Sequence, residues 1–362
     1  MPEPLKNLYT SELINQLAKT ITASHSSFES VLFQAHVFDA QWQDKELKER
    51  MKHIAEALYQ FLPKPYSKAI EVLKTVSSNF SGFEYMFFPT YVELYGLDEY
   101  DISISALAHF TANSSAEFAV RPFIKQYPDK MMHQMERWAE SDDEHLRRLA
   151  SEGCRPRLPW AMALPDFKQD PTAILSILEK LKQDESEYVR RSVANNLNDI
   201  AKDNPQTVIN IAQSWLGQHK DTDRLIKHAC RTLLKQGAPE IMTLFNFAKP
   251  EHIKLENFNY QASANIGGQF EFSFTLNTSE QSLGNLRIEY AIDFMKKNGQ
   301  QSRKIFKISE SDLSIQKKHV IKKHPFKLIS TRTYYPGQHG IEIIINGHEL
   351  KKGQFELKLS SP

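Results

Sequence analysis

Three segments decide the fold: DDEHLRRLASEG at 142–153, DESEYVRRSVANNL at 184–197 and DTDRLIKHACRTLL at 221–234. Each opens on acidic residues, continues with an apolar position and two basic or polar ones, and then runs on as a helix rich in small residues. Superposing Arg148, Arg191 and His228 gives spacings of 43 and 37 residues. Acidic side chains at a helix start accept from free amides and meet the positive end of the helix dipole. A further helical segment precedes each of the last two, Ala173 to Leu181 and Val208 to Leu216.

These spacings approach the roughly 40 to 47 residues of HEAT and armadillo units, so a stacked helix-pair solenoid is predicted, with the second helix of each pair on its concave face. Outward from the repeats, apolar residues recur at three- and four-residue steps from about Ser11 to Lys249, which is helical spacing. After Pro250 the pattern becomes short alternating runs, QFEFSFTLN, LRIEYAIDF and IEIIINGHEL, separated by Gly, Asn, Ser and Pro. A helical domain over 1–250 and a small all-β domain over 251–362 are expected.

Composition agrees with a folded chain. Its 362 residues are 41% hydrophobic and 25% charged, outside the disordered, collagen-like and coiled-coil classes. No apolar run is long enough for a membrane span and the start lacks a signal-peptide pattern, so a cytoplasmic protein is expected. Two cysteines, Cys154 and Cys230, are too few for a disulfide framework and lack zinc-site spacing. HxxxH, CxxC and Gly-rich phosphate loops are missing, and neither metal nor cofactor is expected. The net charge of +1 hides an asymmetry, +5 after residue 250 and −4 before it. A mildly basic tail suits a nucleic-acid face or a solvated surface.

The candidate chemistry lies on the polar side of the repeats. In the first, Arg148, Glu152 and Arg155 stand at i, i+4 and i+7, apart from the apolar stripe of Leu149, Ala150 and Gly153. Arg148, Arg191 and Lys227 read either as a protein-docking or solvated row or as a stripe tracking a phosphate backbone. RRLASEGCRPRLPW places Glu152 beside Arg147, Arg148, Arg155 and Arg157 and ahead of Trp160. Pro156 and Pro159 stop a helix, so the chain turns after Arg155 and brings Trp160 out near the helix end. In NSSAEFAVRPF, Glu117 precedes Arg121 by four residues, predicting one shared face. Two carboxylates, arginines and an aromatic ring are a plausible site for breaking a glycosidic bond at a cationic base; salt-bridge partnership is the competing account of both glutamates.

LRRLASEGCRPRLPWA, the repeats around it, NSSAEFAVRPF and the β-rich tail together resemble the AlkC branch of the bacterial alkylpurine DNA glycosylases, DNA alkylation repair proteins built on HEAT-like repeats. The resemblance implies a mainly α solenoid followed by an immunoglobulin-like sandwich, which Leu255 to Ser361 are long enough to form. It implies excision of N3-methylated bases, 3-methyladenine chiefly and 3-methylcytosine as well, by hydrolysis of the N-glycosidic bond in bent duplex DNA without deep base flipping. Its implied catalytic set is Glu152, Glu117 and Trp160, with Asp199 as a weaker third acid. Arg148, Arg155, Arg157, Arg121, Arg191 and Lys227 are its candidate DNA contacts, Arg148 and Arg155 alternatively orienting the carboxylates. The partner would be duplex DNA carrying alkylated bases, the protein acting as a monomer.

Two Lys-rich segments of the tail, MKKNGQQSRK (295–304) and IQKKHVIKKH (315–324), are read as loops reaching DNA or as a solubilising edge. TYYPGQHG (333–340) is read as a further contact loop or an ordinary turn. The alternative to an enzyme is a non-catalytic HEAT-repeat module that binds DNA structures or a protein partner.

Overall fold

A computed structural model of the chain describes residues 3–329 and 332–359. Among them are sixteen α-helices followed by eight β-strands. The chain divides into two compact units, 1–229 and 230–362. The division precedes the change in periodicity because the short helices Arg231–Gln236 and Pro239–Leu244 belong with the strands.

The first unit is a helical solenoid. Its three repeats pair Pro128–Ala139 with Glu144–Gly153, Thr172–Leu181 with Glu187–Ile200, and Pro205–Trp215 with Lys220–Ala229. The acidic openings cap as their chemistry dictates: the Asp143 carboxylate accepts from His145 N at 2.8 Å and Asp184 from Ser186 N at 2.8 Å. Second helices of successive repeats pack side by side.

A stitch recurs between them. The Arg147 guanidinium donates to the carbonyls of Ser141 and Asp142 and forms a fork with Asp184 at 2.6 and 3.1 Å. One repeat later Arg190 donates to the carbonyls of Asp184 and Glu185 and lies 3.9 Å from Asp221. The first arginine of each RR pair thus ties its repeat to the next, leaving the second for other work. The longer first spacing has a local cause: residues 154–171, carrying the RPRLPW turn and the short helix Pro165–Gln169, intervene between the first repeat and the second.

Gly153 is required where the first repeat meets the segment before it. A Cβ there would stand 2.7 Å from Val120 Cγ2 and 3.2 Å from Met135 Cε.

The second unit is an immunoglobulin-like sandwich. Its strands are β1 (Ile253–Tyr260), β2 (Ser263–Asn265), β3 (Gln269–Thr278), β4 (Gly284–Met295), β5 (Gln301–Leu313), β6 (Lys317–Pro325), β7 (Gly337–Ile345) and β8 (His348–Lys358). One sheet has the order β1-β3-β6, the other β2-β8-β7-β4-β5. Alternation sends Phe270, Phe272 and Phe274 of β3 and Ile288, Tyr290 and Ile292 of β4 into one apolar core. The turn after β7 meets the short helices closely. A Cβ on Gly237 would lie 2.9 Å from the Gly347 carbonyl, and Asn346, at φ 46°, donates to the Ala248 carbonyl at 2.8 Å.

The segment 315–324 is not a loop. Residues 317–324 lie in the edge strand β6, with Val320 and His324 buried, Lys318 and Lys322 half-buried on their face, and Lys317 and Lys323 exposed on the other. The charges sit where an exposed edge needs protection from pairing with another chain. In 295–304, only 296–300 form a turn, between β4 and β5. The first part of TYYPGQHG precedes β7, which begins at Gly337.

Two outcomes are expected. Gly153→Ala should lower stability by about 1–2 kcal/mol, because the methyl overlap outweighs the better helix propensity; a thermal melt at or above that of the wild type would contradict this packing. His324 is caged by Tyr290, Phe294, Phe306 and Phe326, and burial pushes its pKa down from 6.5 to about 4. Between these values the unfolded chain binds the proton that the folded chain refuses, so stability falls as pH drops from 6.5 to 4, by about 3 kcal/mol. Urea unfolding of the full chain at pH 7 and pH 4.5 should show a smaller loss for His324→Phe than for the wild type; equal losses would refute the assignment.

Candidate active site

The second helix of the first repeat ends at Gly153, where Cys154 caps it and Arg155 N reaches back to the Glu152 carbonyl at 3.3 Å. Arg155 therefore leaves the helix instead of continuing its stripe. The turn brings its guanidinium back over Glu152: Nη1 donates to Glu152 Oε1 at 2.6 Å and Nε to Asp199 Oδ2 at 2.9 Å. Glu152 Oε2 accepts from Ser192 Oγ at 2.7 Å, and Ser151 Oγ lies 2.7 Å from Ser192 Oγ.

On the other side of Glu152, Arg148 Nη2 stands 3.6 Å from Oε1, while Nη1 donates to Glu117 Oε2 and to Ser115 Oγ, the latter at 2.9 Å. Ser115 Oγ also donates to Glu117 at 2.6 Å. The Arg148 guanidinium lies 5.2 Å from the centre of the Tyr188 ring. The result is an alternating chain, Glu117, Arg148, Glu152, Arg155, Asp199, with Lys202 closing the far end on Asp199 Oδ1 at 2.9 Å.

Burial sets the electrostatics. Glu152, Arg155 and Asp199 are buried, and the Arg148 and Glu117 side chains keep 14% and 15% exposure. Burial works against the charge of Arg148 and Arg155. Their carboxylates outweigh it, Glu117 and Glu152 for one and Glu152 and Asp199 for the other, so both guanidiniums are held above their ordinary pKa. Such pairs are costly to leave half-made and strongly oriented when complete.

Beyond the chain, the RPRLPW turn projects Trp160, 61% exposed and at φ 65°. Beneath that turn lies Arg121, fully buried. It donates from Nη1 to the carbonyls of Gly153 and Arg155, each at 2.9 Å, and from Nε to Met162 O at 2.7 Å. One guanidinium thus clamps the stretch on both sides of Trp160.

Several expectations change here. Glu117 and Arg121 share no helix face, because the helix begins only at Val120; Glu117 pairs with Arg148 instead. Arg121 is too deeply buried to contact DNA, and it shapes the turn. Arg155, also buried, serves the carboxylates, the second of its two expected roles. Arg148 likewise orients Glu117 and Glu152. Of the remaining candidate contacts, Arg157 grips Asp203 with a fork at 2.7 and 2.6 Å, Arg191 pairs with Glu187 at 2.9 Å, and Lys227 lies exposed on the third repeat's second helix. A groove of about 510 Å³ between the second helices of the second and third repeats carries Arg190, Arg191, Arg224 and His228, with Glu187 and Asp221.

Ser115, Tyr188, Ser192 and Lys202 were not anticipated. Only Ser192 leaves a trace in the repeat: it occupies the frame of Leu149, a hydroxyl where its counterpart is apolar. Among the described residues no helix is long and apolar enough to cross a membrane, and no group of three or more His, Cys, Asp or Glu side chains gathers as a metal site.

Comparison with known proteins identifies the family. The profile of the DNA alkylation repair enzyme family matches residues 104–234, and that of the C-terminal Ig-like domain of uncharacterised protein YhaZ matches residues 254–359. The chain is 44% identical over 345 residues to uncharacterized protein YhaZ of Bacillus subtilis (strain 168), covering 95% of this chain and 96% of that one. It is 34% identical, with a TM-score of 0.93, to the Pseudomonas fluorescens alkylpurine DNA glycosylase AlkC bound to DNA containing an abasic site analog, over 98% of this chain and all of that one. The chain belongs to the AlkC branch of the HEAT-like repeat alkylpurine DNA glycosylases, the DNA alkylation repair proteins.

Proposed function

We propose that this protein is a DNA N-glycosylase that hydrolyses the N-glycosidic bond of cationic N3-methylated bases, 3-methyladenine first and 3-methylcytosine second, in bent duplex DNA. The observation that carries the reading is the arrangement of Glu117 and Glu152 about Arg148, with an exposed tryptophan held at the adjoining helix end. The glycosylase activity named for the Pseudomonas fluorescens relative supports it.

The chemistry asks little of the protein and asks it in one place. A base methylated at N3 already carries positive charge, so it departs without a general acid. Positive charge then develops at the anomeric carbon and ring oxygen of the sugar. Preorganised negative charge there lowers the barrier, and a carboxylate able to orient water completes a displacement like that of inverting glycosidases. Glu152 and Glu117 take those roles, Arg148 and Arg155 fixing their geometry. Asp199 holds Arg155 in place. Trp160 meets the lesion nucleotide with its ring face, where a cationic base adds a cation–π term. Arg157, Arg191 and Lys227 lie along the backbone path as phosphate contacts, and the lesion need not enter a deep pocket.

The decisive variant is Glu152→Gln. Glutamine keeps the shape, while Arg155 retains Asp199 and Arg148 retains Glu117, so the fold should persist. On DNA treated with a methylating agent, release of 3-methyladenine should fall by at least about a hundredfold, the loss typical when a preorganised electrostatic group is removed, with duplex affinity within about threefold of the wild type. Wild-type release by Glu152→Gln would remove Glu152 from the chemistry. Absence of base release from the wild type, with DNA retained, would instead favour a non-catalytic binding module.

A further inference from the structure

Trp160 is the least ordinary residue of the site. A β-unbranched aromatic side chain at φ 65° sits in a region that non-glycine residues rarely adopt and that persists only when its surroundings impose it. Arg121 secures the flanks of the turn, at Gly153, Arg155 and Met162. The apex is held from elsewhere. Lys48, on the helix Leu47–Phe61, donates from Nζ to the Trp160 carbonyl at 2.7 Å. Its ammonium also lies 5.1 Å from the centre of the Phe118 ring, next in sequence to Glu117. Phe83 meets the indole edge-on, ring centres 6.4 Å apart and planes at 64°. Lys48 and Phe83 both lie before residue 104, outside the stretch matched by the alkylation-repair profile.

We propose that Lys48 is a positioning residue for Trp160. It fixes the peptide at the apex of the turn while Phe83 limits the swing of the indole, so the N-terminal helices are part of the site. A lysine tied to both a carbonyl and a ring adjoining a carboxylate also couples the height of the Trp160 apex to the Glu117 segment. The inference rests on the reading of Trp160 as a lesion contact, so its test has one readout that needs no activity.

Trp160 is far more exposed than Trp42, Trp138 and Trp215, which are buried. Acrylamide quenching of each protein, minus that of its Trp160→Phe counterpart, therefore reports on Trp160. Lys48→Met should change this difference signal and slow single-turnover release of 3-methyladenine at saturating DNA by about fivefold, as expected for loss of one solvent-exposed hydrogen bond. Lys48→Arg should restore both to near wild type. In a Trp160→Ala background, Lys48→Met should cost nothing further. An unchanged quenching signal, or a rate loss of equal size in the Trp160→Ala background, overturns the assignment. If Trp160→Ala itself released base at the wild-type rate, the role of Trp160 in the reaction would fail, while the quenching comparison would still decide whether Lys48 orients it.

Discussion

Glu152 is a carboxylate taken out of water at the end of a helix, and the rest of the site follows from how that charge is tolerated. A lone buried anion would be neutralised or would unfold its surroundings. Here Arg155 and Arg148 flank it, and each needs a second acid of its own, Asp199 and Glu117. The alternation allows five charged groups to share a small volume, with no like pair adjacent in the chain of contacts. Each arginine holds two acids, so the geometry of the two glutamates is set by shared partners as much as by the backbone.

The arginines divide their labour by burial. Those that face the next repeat, Arg147 and Arg190, bind carbonyls at their own helix start and an aspartate beyond it. Those inside, Arg121 and Arg155, shape the turn and the carboxylates. Arg157, Arg191 and Arg224 lie toward solvent, where a phosphate can reach them, although each also has an acidic partner. The row of Arg148, Arg191 and Lys227, open to reading as a solvated or docking ridge or as a phosphate-tracking stripe, is itself divided: Arg148 turns to Glu117 and Glu152, Arg191 pairs with Glu187, and Lys227 lies exposed.

Helix repetition places the site, and the interruption of that repetition makes it. The extra residues of the first spacing fold into the turn that lifts Trp160, and a turn so sharp requires support on both sides. Arg121 supplies it from below and Lys48 from the N-terminal helices. The solenoid contributes the packed repeats, whereas the departure from their period exposes the tryptophan.

What could be read without coordinates was governed by local rules. Helical period, acidic caps, the switch to alternation after Pro250 and the helix stop before Pro156 all depend on neighbours a few residues away, and the string LASEGCRPRLPW was specific enough to indicate a family. Glu117, Glu152 and Trp160 were visible in that string and its companion segment. The partners were not, because pairing depends on distances between segments: Glu117 faces Arg148 and not Arg121, Ser192 supports a glutamate one repeat away, and Lys48 reaches a carbonyl 112 residues on. Burial was equally hidden, since an arginine in a sequence shows its charge but not its exposure. The order of residues determined which elements form and which chemical groups are present; only tertiary packing decided which of those groups lost their water, and therefore which charges had to find one another.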